Sequence, residues 1–346
     1  MNIVISGGKT AGHITPALAL IDKLEGKIYY AGNSRQMEYQ MVKDKVDEFL
    51  DYDVIGFKRR NPILLIKATY KFFKAYKKAK IDLKRVKPDV VIGMGGFVCA
   101  PVLFAARSLK IKTIIHEQNV VFGLVNKILS KRVDKVIFSF EESLDYYKLD
   151  NAIAIGNPAS ERTKDYIQSD INYPKNYKRV LFLGGSLGAK RINDLALDII
   201  KKSKDFNLFF VVITGNNYEI EEDYSNAKFI GFTENLTSIM QECDLIISRA
   251  GASTLCEVLN IPKLMIVIPS PNVTNNHQEK NAMALAKKNK LIMLNEEGLT
   301  SSVLLSEIIK IVYDDELKKD IIKNNKEANK GDVIWRFIKE IENMIS

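Results

Sequence analysis

Three cysteines among 346 residues, Cys99, Cys243 and Cys256, stand far apart in the chain. That argues against a zinc site and for a reducing cytoplasm rather than a disulfide-stapled exterior. No apolar run approaches the roughly 18 residues needed to span a bilayer, and no segment is of low complexity. The first strand is expected to begin at residue 2, so no secretory leader is expected. A P-loop is missing as well. The opening MNIVISGGKTAGHITPALAL holds Gly8-Lys9-Thr10, the end of that motif, but the glycine needed five residues before the Gly-Lys is Ile3. The dinucleotide fingerprint fails on spacing, because Gly7-Gly8 is followed by Gly12. What survives is a strand, a glycine turn and a helix expected to begin near Pro16, whose N-terminus suits an anion.

A chain of this length exceeds one comfortable core, so two domains are expected. Short apolar runs alternate with helical stretches: Ile3–Ile5, Lys27–Tyr30, Val90–Ile92, Thr113–Ile115, Val136–Phe138, then Val180–Leu183, Phe209–Ile213, Leu245–Ile247 and Leu264–Ile268. Such alternation predicts parallel sheets with helices on both faces. The pattern restarts at Arg179-Val-Leu-Phe-Leu-Gly-Gly-Ser much as it began at Met1. The expected domains are 1–158 and 159–331, with a last helix over 332–346 returning to the first and carrying Trp335, Ile338 and Ile341 on one face.

Ligands of doubly wound sheets bind beyond the carboxyl ends of the strands, and the unusual residues of this chain cluster there. Gly7-Gly8, Gly93-Met-Gly95-Gly96-Phe, His116-Glu-Gln-Asn119, Gly184-Gly-Ser-Leu-Gly188, Arg249-Ala-Gly-Ala-Ser-Thr-Leu-Cys-Glu257 and Asn276-His-Gln-Glu-Lys-Asn281 each follow an apolar run. All three histidines sit in these loops. Several glycine turns feeding helices point to a ligand rich in phosphate. His13 reads equally as a solvated helix-start residue and as a general base. Thr254-x-x-Glu257 matches a capping box, although a carboxylate there could instead grip a ribose diol. Asp51-Tyr52-Asp53 resembles a metal-holding D-x-D but lies outside the loops and reads as solvated surface. His277 reads as a loop-orienting residue, having no partner at ligand spacing.

Charge is concentrated in one place. From Lys58 to Lys87 there are twelve Lys/Arg and one acid, Asp82, whereas the whole chain is +9. Plotted at about 100° per residue, Leu65, Ile66, Tyr70, Phe72, Phe73, Tyr76 and Leu83 share one helical face, and Lys67, Lys71, Lys74, Lys78 and Arg85 another. Together with Leu64, this predicts contact with an anionic membrane surface rather than with nucleic acid, since no base-stacking platform accompanies the charge.

Seven motifs in order carry a resemblance: Ser6-Gly-Gly-Lys-Thr-Ala-Gly-His-Ile-Thr-Pro16, Gly93-Met-Gly-Gly-Phe-Val, His116-Glu-Gln-Asn119, Gly156-Asn-Pro158, Gly184-Gly-Ser-Leu-Gly-Ala189, Arg249-Ala-Gly-Ala252 and His277-Gln-x-x-Asn281. Over nearly the whole chain they resemble the bacterial N-acetylglucosaminyltransferases of peptidoglycan synthesis. The resemblance implies an α/β GT-B fold, two Rossmann-like doubly wound parallel-sheet domains facing a cleft. It implies inverting transfer of GlcNAc from UDP-GlcNAc to the MurNAc 4-hydroxyl of undecaprenyl-diphospho-MurNAc-pentapeptide, without cofactor or metal. It also implies peripheral attachment to the cytoplasmic face of the plasma membrane and a place in a wall-synthesis complex.

On the same resemblance, Phe232 and Thr233 would meet uracil and Glu257 the ribose. Ser186 with Ala252, Ser253 and Thr254 would hold the diphosphate, helped by Arg249, and Gln278 and Asn281 would read the sugar. Thr10, Ala11, Gly12 and Asn119 would close over the donor, while Gly8, Gly95 and Gly96 would meet the acceptor diphosphate. His13 is the expected base, with His116 and then Glu117 behind it. Two positions depart from the family pattern. Ala11 replaces a glycine and would be strained if its φ is positive, and Ser160 replaces an arginine that would contact phosphate. A UDP-GlcNAc epimerase and a diacylglycerol-dependent glycolipid synthase are the alternatives.

Overall fold

The structure is a computed structural model that describes residues 1–56, 62–164, 168–184, 188–216, 218–220, 222–233, 235–261, 263–328 and 331–346. The chain divides into two compact units, Met1–Glu161 with Gly331–Ser346, and Arg162–Lys330.

In the first unit β1 (Asn2–Gly7), α1 (Ala11–Ile21), β2 (Lys27–Gly32), α2 (Met37–Val42), β3 (Glu48–Asp51), α3 (Pro62–Val86), β4 (Val90–Gly95) and α4 (Cys99–Ser108) are followed by β5 (Lys112–Glu117), α5 (Leu124–Leu129), β6 (Lys135–Phe138), α6 (Glu142–Tyr146) and β7 (Ala152–Ala154). Among the described residues its strands form one parallel sheet of seven in the order β3-β2-β1-β4-β5-β6-β7. The second unit runs β8 (Lys178–Leu183), α7 (Lys190–Lys202), β9 (Leu208–Ile213), β10 (Ala227–Ile230), α8 (Leu236–Glu242), β11 (Leu245–Ser248), α9 (Ala252–Leu259), β12 (Leu264–Val267), α10 (His277–Ala286), β13 (Ile292–Met293), α11 (Ser301–Val312) and α12 (Asp315–Ala328). Its parallel sheet of six strands is ordered β10-β9-β8-β11-β12-β13. The last helix, α13 (Val333–Ile345), belongs to the first unit.

The central strands are buried along nearly their whole length because helices cover both faces of each sheet. Helix α7 shows why the covering elements are helical. Ile192, Leu195, Ala196, Ile199 and Ile200 recur at the 3.6-residue period and are all buried against the second sheet. In α13 the buried stripe is Val333, Phe337 and Ile341, at four-residue spacing, and it joins Ile3, Ile5, Ile14 and Ile92 in one core. The expected stripe through Trp335 is corrected, since that ring is 61% exposed, with Lys339 Nζ lying 5.0 Å from its centroid.

Helix α1 also differs from expectation. It starts at Ala11 rather than near Pro16, and Pro16 sits inside it. Ala11 is its first residue and is not among the positive-φ residues, so an alanine there carries no left-handed strain. The left-handed position in this turn is Lys9, with φ 76°.

In each sheet the strand order reverses at one place, between β1 and β4 in the first and between β8 and β11 in the second. At such a switch point adjacent strands send their following helices to opposite faces and leave a crevice at their carboxyl ends. Both candidate sites lie there.

Candidate active site

In the first unit the turns after β1 and β4 touch. Gly95 and Gly96 have φ of +112° and +90°, and a Cβ on Gly96 would stand 2.7 Å from the Gly8 carbonyl oxygen. A Cβ on Gly95 would stand 2.8 Å from His13 Nε2. Both positions therefore need glycine for backbone conformation and for close approach. The structure brings Gly8, Thr10, His13, Gly95 and Gly96 into one group. His13 Nδ1 is 3.0 Å from the Gly8 carbonyl and 3.1 Å from Thr10 Oγ1. A carbonyl can only accept, so Nδ1 carries the proton of the neutral ring and Nε2, lying against the Gly95 turn, is the basic nitrogen. Ala11 and Gly12 open α1 beside it.

His116 has the opposite arrangement. Its Nδ1 is 3.0 Å from Gln118 Nε2, which can only donate and which also donates to the Met94 carbonyl at 2.6 Å. Nε2 must then carry the proton and donate to the Gly156 carbonyl at 3.2 Å, with Ser139 Oγ at 3.1 Å. Burial holds its pKa down to about 4, against the opposing pull of the Gly156 bond, and the edge-to-face ring of Phe337 lies 5.8 Å away. Both ring nitrogens are committed, so His116 is corrected from a candidate base to a neutral brace joining β5, β6 and α13.

Glu117 is likewise built in. Oε1 accepts from the Asn119 backbone N and Nδ2 at 3.1 and 3.2 Å, and Oε2 accepts from the Gly123 N and Asn126 Nδ2 at 2.9 and 3.0 Å. Four donors leave it as the anchor of the 117–123 loop. Asn119, half-buried on that loop, is aimed by this anchor. Ser160 turns inward, its Oγ donating to the Asn157 carbonyl at 2.7 Å, so it offers no phosphate contact.

In the second unit the N-terminus of α9 faces the corresponding switch point. Its N-cap residue is Gly251, which has no side chain with which to cap the first-turn N–H groups of Ala252, Ser253 and Thr254. The Ser253 hydroxyl is buried without a hydrogen-bond partner among the described residues. A helix beginning at Ala252 places Thr254 third and Glu257 sixth, so the capping-box reading of Thr254 and Glu257 is corrected. Glu257 is half-buried, one turn further along the same helix. Arg249 is paired with Glu296 and donates to the Ile268 carbonyl at 3.1 Å, which makes it a brace across the strand ends.

Gln278 Oε1 accepts from the Ser270 N at 2.9 Å. Asn281 is fully buried and donates to the Ala250 carbonyl at 3.3 Å, so it supports the loop before α9 from below. His277 opens α10 after Asn275 and Asn276, both left-handed. Phe232, beyond β10, is 66% exposed, and Thr233 Oγ1 accepts from the Asn235 N at 3.0 Å. Ser186 lies outside the described residues.

Helix α3 splits into two halves. Toward its C-terminus Ala75, Ala79, Leu83 and Val86 are buried, and Arg85 pairs with Glu48. Lys78 pairs with Asp82 at 2.8 Å over the Tyr52 ring, and Lys71 pairs with Asp53 at 2.6 Å. Asp51 accepts from the Ser34 N at 2.7 Å, so both acids of the D-x-D have partners within the unit. Toward the N-terminus Ile66, Tyr70 and Phe73 are 71%, 68% and 57% exposed, next to exposed Leu65, Lys67 and Lys74. Leu64 and Phe72 are half-buried, Phe72 packing edge-on to Phe104 of α4. The expected apolar face is therefore largely on the surface, while Lys71 and Lys78 of the basic face are tied down. Lys58, Arg59 and Arg60 lie outside the described residues. No described helix is long and apolar enough to cross a membrane.

Comparison with known proteins agrees with this architecture. Residues 3–138 match the glycosyltransferase family 28 N-terminal domain and residues 179–336 its C-terminal domain. An Acinetobacter baumannii MurG structure superposes with a TM-score of 0.80 at 24% identity, covering 99% of this chain and 100% of that one. A Neisseria meningitidis UDP-GlcNAc 2-epimerase bound to UDP-GlcNAc superposes with 0.67 at 15% identity, over 99% and 100%. Two parallel-sheet units that match both domains of glycosyltransferase family 28 make a glycosyltransferase of the GT-B fold. Curated relatives narrow the class. A protein of Halalkalibacterium halodurans is 39% identical over 327 residues, 89% of this chain and 90% of that one. One of Bacillus cytotoxicus is 37% identical over 347 residues, 95% and 94%. Both carry the name UDP-N-acetylglucosamine--N-acetylmuramyl-(pentapeptide) pyrophosphoryl-undecaprenol N-acetylglucosamine transferase, and the chain belongs to that family.

Proposed function

We propose that the chain transfers GlcNAc from UDP-GlcNAc to the MurNAc 4-hydroxyl of undecaprenyl-diphospho-MurNAc-pentapeptide by a single inverting displacement, with His13 as the base. The observation that carries the role of His13 is the bond from its Nδ1 to the Gly8 carbonyl, which leaves Nε2 basic at the switch point of the first unit. The acceptor hydroxyl gives its proton to Nε2 as its oxygen attacks the anomeric carbon, and UDP departs with the bonding pair. Negative charge then grows on the diphosphate, and the glycine-capped N-terminus of α9, with the Ser253 hydroxyl, is suited to receive it. Exposed Phe232 supplies a stacking face for uracil and Glu257 a carboxylate for the ribose diol. Asn281 and Arg249 act from behind, holding the loops that contact the donor.

The acceptor is lipid-linked in the names of the relatives. The exposed residues Leu65, Ile66, Tyr70 and Phe73 beside Lys67 and Lys74 fit docking on the anionic inner leaflet. Location on the cytoplasmic face of the plasma membrane follows from that docking. The test is UDP release from UDP-GlcNAc with and without the lipid-linked acceptor. Release that depends on the acceptor and yields the β-linked disaccharide supports the reading. Release without acceptor together with ManNAc would mark an epimerase, and turnover only with diacylglycerol a glycolipid synthase.

A further inference from the structure

Beneath the turn after β1 lies a buried carboxylate that no motif marks. Glu38, in the first turn of α2, is 1% exposed. Its Oε2 accepts from the Lys9 N at 3.0 Å and its Oε1 from the Asn33 N at 3.1 Å. One side chain thereby ties together the turns after the neighbouring strands β1 and β2. Lys9 is the residue that needs a tie, because it has a side chain and a φ of 76°. A Cβ on Gly8 would collide with Glu38 Oε1, so the turn is moulded on this carboxylate. The Gly8 carbonyl, adjacent to the tied Lys9 N, holds His13 Nδ1.

We propose that Glu38 is a positioning residue for glycosyl transfer: by holding Lys9 left-handed it aims the Gly8 carbonyl at His13 Nδ1, and so fixes the tautomer and direction of the imidazole. Glu38 acts through the turn and touches neither substrate. The requirement is for a carboxylate in particular. Both partners are backbone donors, so both side-chain oxygens must accept. A glutamine would set its NH₂ against one of the two N–H groups and leave that group without an acceptor.

The inference rests on His13 being the base, and the experiment separates the two. Steady-state kinetics with a soluble short-chain acceptor are measured for the wild type, E38Q, K9G and the double variant. E38Q should lower kcat about tenfold, as expected for losing one charge-assisted bond. The KM for UDP-GlcNAc should stay within about twofold, because Phe232, Glu257 and the N-terminus of α9, proposed to hold the uridine diphosphate, belong to the other unit. Glycine adopts the left-handed turn without help, so on the K9G background E38Q should cost less than about threefold. Nitrogen-15 spectra should show the Nδ1–H tautomer of His13 in the wild type and a mixture in E38Q. E38D keeps the charge and can keep one bond, so it should fall between, and it replaces E38Q in the cycle if E38Q does not fold. Equal losses on both backgrounds, an unchanged kcat, or a donor KM that rises in step with the loss would overturn the positioning role. If H13A turns over normally, the assignment of the base fails instead, whatever the cycle gives.

Discussion

Lowering the pH should destabilise the first unit through His116, and the size of the effect follows from its surroundings. The ring is fully buried, with one nitrogen donating to the Gly156 carbonyl and the other accepting from Gln118, so a second proton has no acceptor to face. Burial lowers its pKa from an unfolded value near 6.5 to about 4. The unfolded chain therefore takes up a proton first as pH falls, and stability rises with pH between those values. The contribution is fully present above about pH 6.5, declines below it and levels off under about pH 4. The full difference is worth about 3 kcal/mol, most of which should be lost between pH 7.5 and 4.5.

H116Q keeps an amide donor for the Gly156 carbonyl and cannot titrate. Trp335, the chain's one tryptophan, lies on α13 in the same unit, so its fluorescence during urea unfolding reports on the unit that contains His116. Carboxylates titrate in both proteins, and the wild-type curve should fall more steeply by about 2–3 kcal/mol over that range. Parallel pH dependences, differing by less than about 0.5 kcal/mol, would show that the ring is not held neutral by burial.

Three further outcomes are expected. E257A should weaken UDP-GlcNAc binding by about 1.5–3 kcal/mol in calorimetry, as for lost hydrogen bonds to a charged group, and an unchanged affinity would remove Glu257 from the donor site. EDTA should leave turnover unchanged, and D53A, which breaks an exposed pair with Lys71, should cost less than about 1 kcal/mol of stability. Loss of activity in EDTA that Mg²⁺ or Mn²⁺ restores would return the D-x-D to consideration. Changing Lys67 and Lys74 to Glu and Ile66 and Phe73 to Ser should abolish sedimentation with anionic vesicles and spare turnover of a soluble acceptor. High salt should weaken wild-type binding as well. Lys71 and Lys78 are unsuitable for this test because their reversal would also break pairs inside the unit. A variant that still sediments would show that α3 is not the dock.

The strands that the sequence reveals and the strands that it hides divide along a physical line. Every central strand reads as an apolar run because it is covered on both faces. The four unanticipated strands, β3, β7, β10 and β13, are the four sheet edges, short and half-exposed, so their residues carry no continuous apolar signal. The glycine turns were legible, but the three histidines expected in loops lie in α1, β5 and the start of α10, and their chemistry was not legible. His13 and His116 look alike in sequence, and only the carbonyl beside one ring and the amide beside the other assign them opposite tautomers. Glu38 escaped notice for a related reason. Its partners are backbone groups, one of them 29 positions away, and no side-chain pattern encodes such a contact. Helix α3 misled through its composition: alanines make the buried stripe, while larger apolar residues stand in solvent.

The most direct test of the account is a single-turnover measurement of GlcNAc transfer from UDP-GlcNAc to a soluble short-chain acceptor by H13A, with donor affinity measured in parallel. Removal of a positioned general base should slow transfer about 10²- to 10⁴-fold. Donor affinity should change little, because Phe232, Glu257 and the N-terminus of α9, proposed to hold the uridine diphosphate, belong to the other unit. Transfer by H13A within about threefold of the wild type would contradict the assignment of the catalytic base.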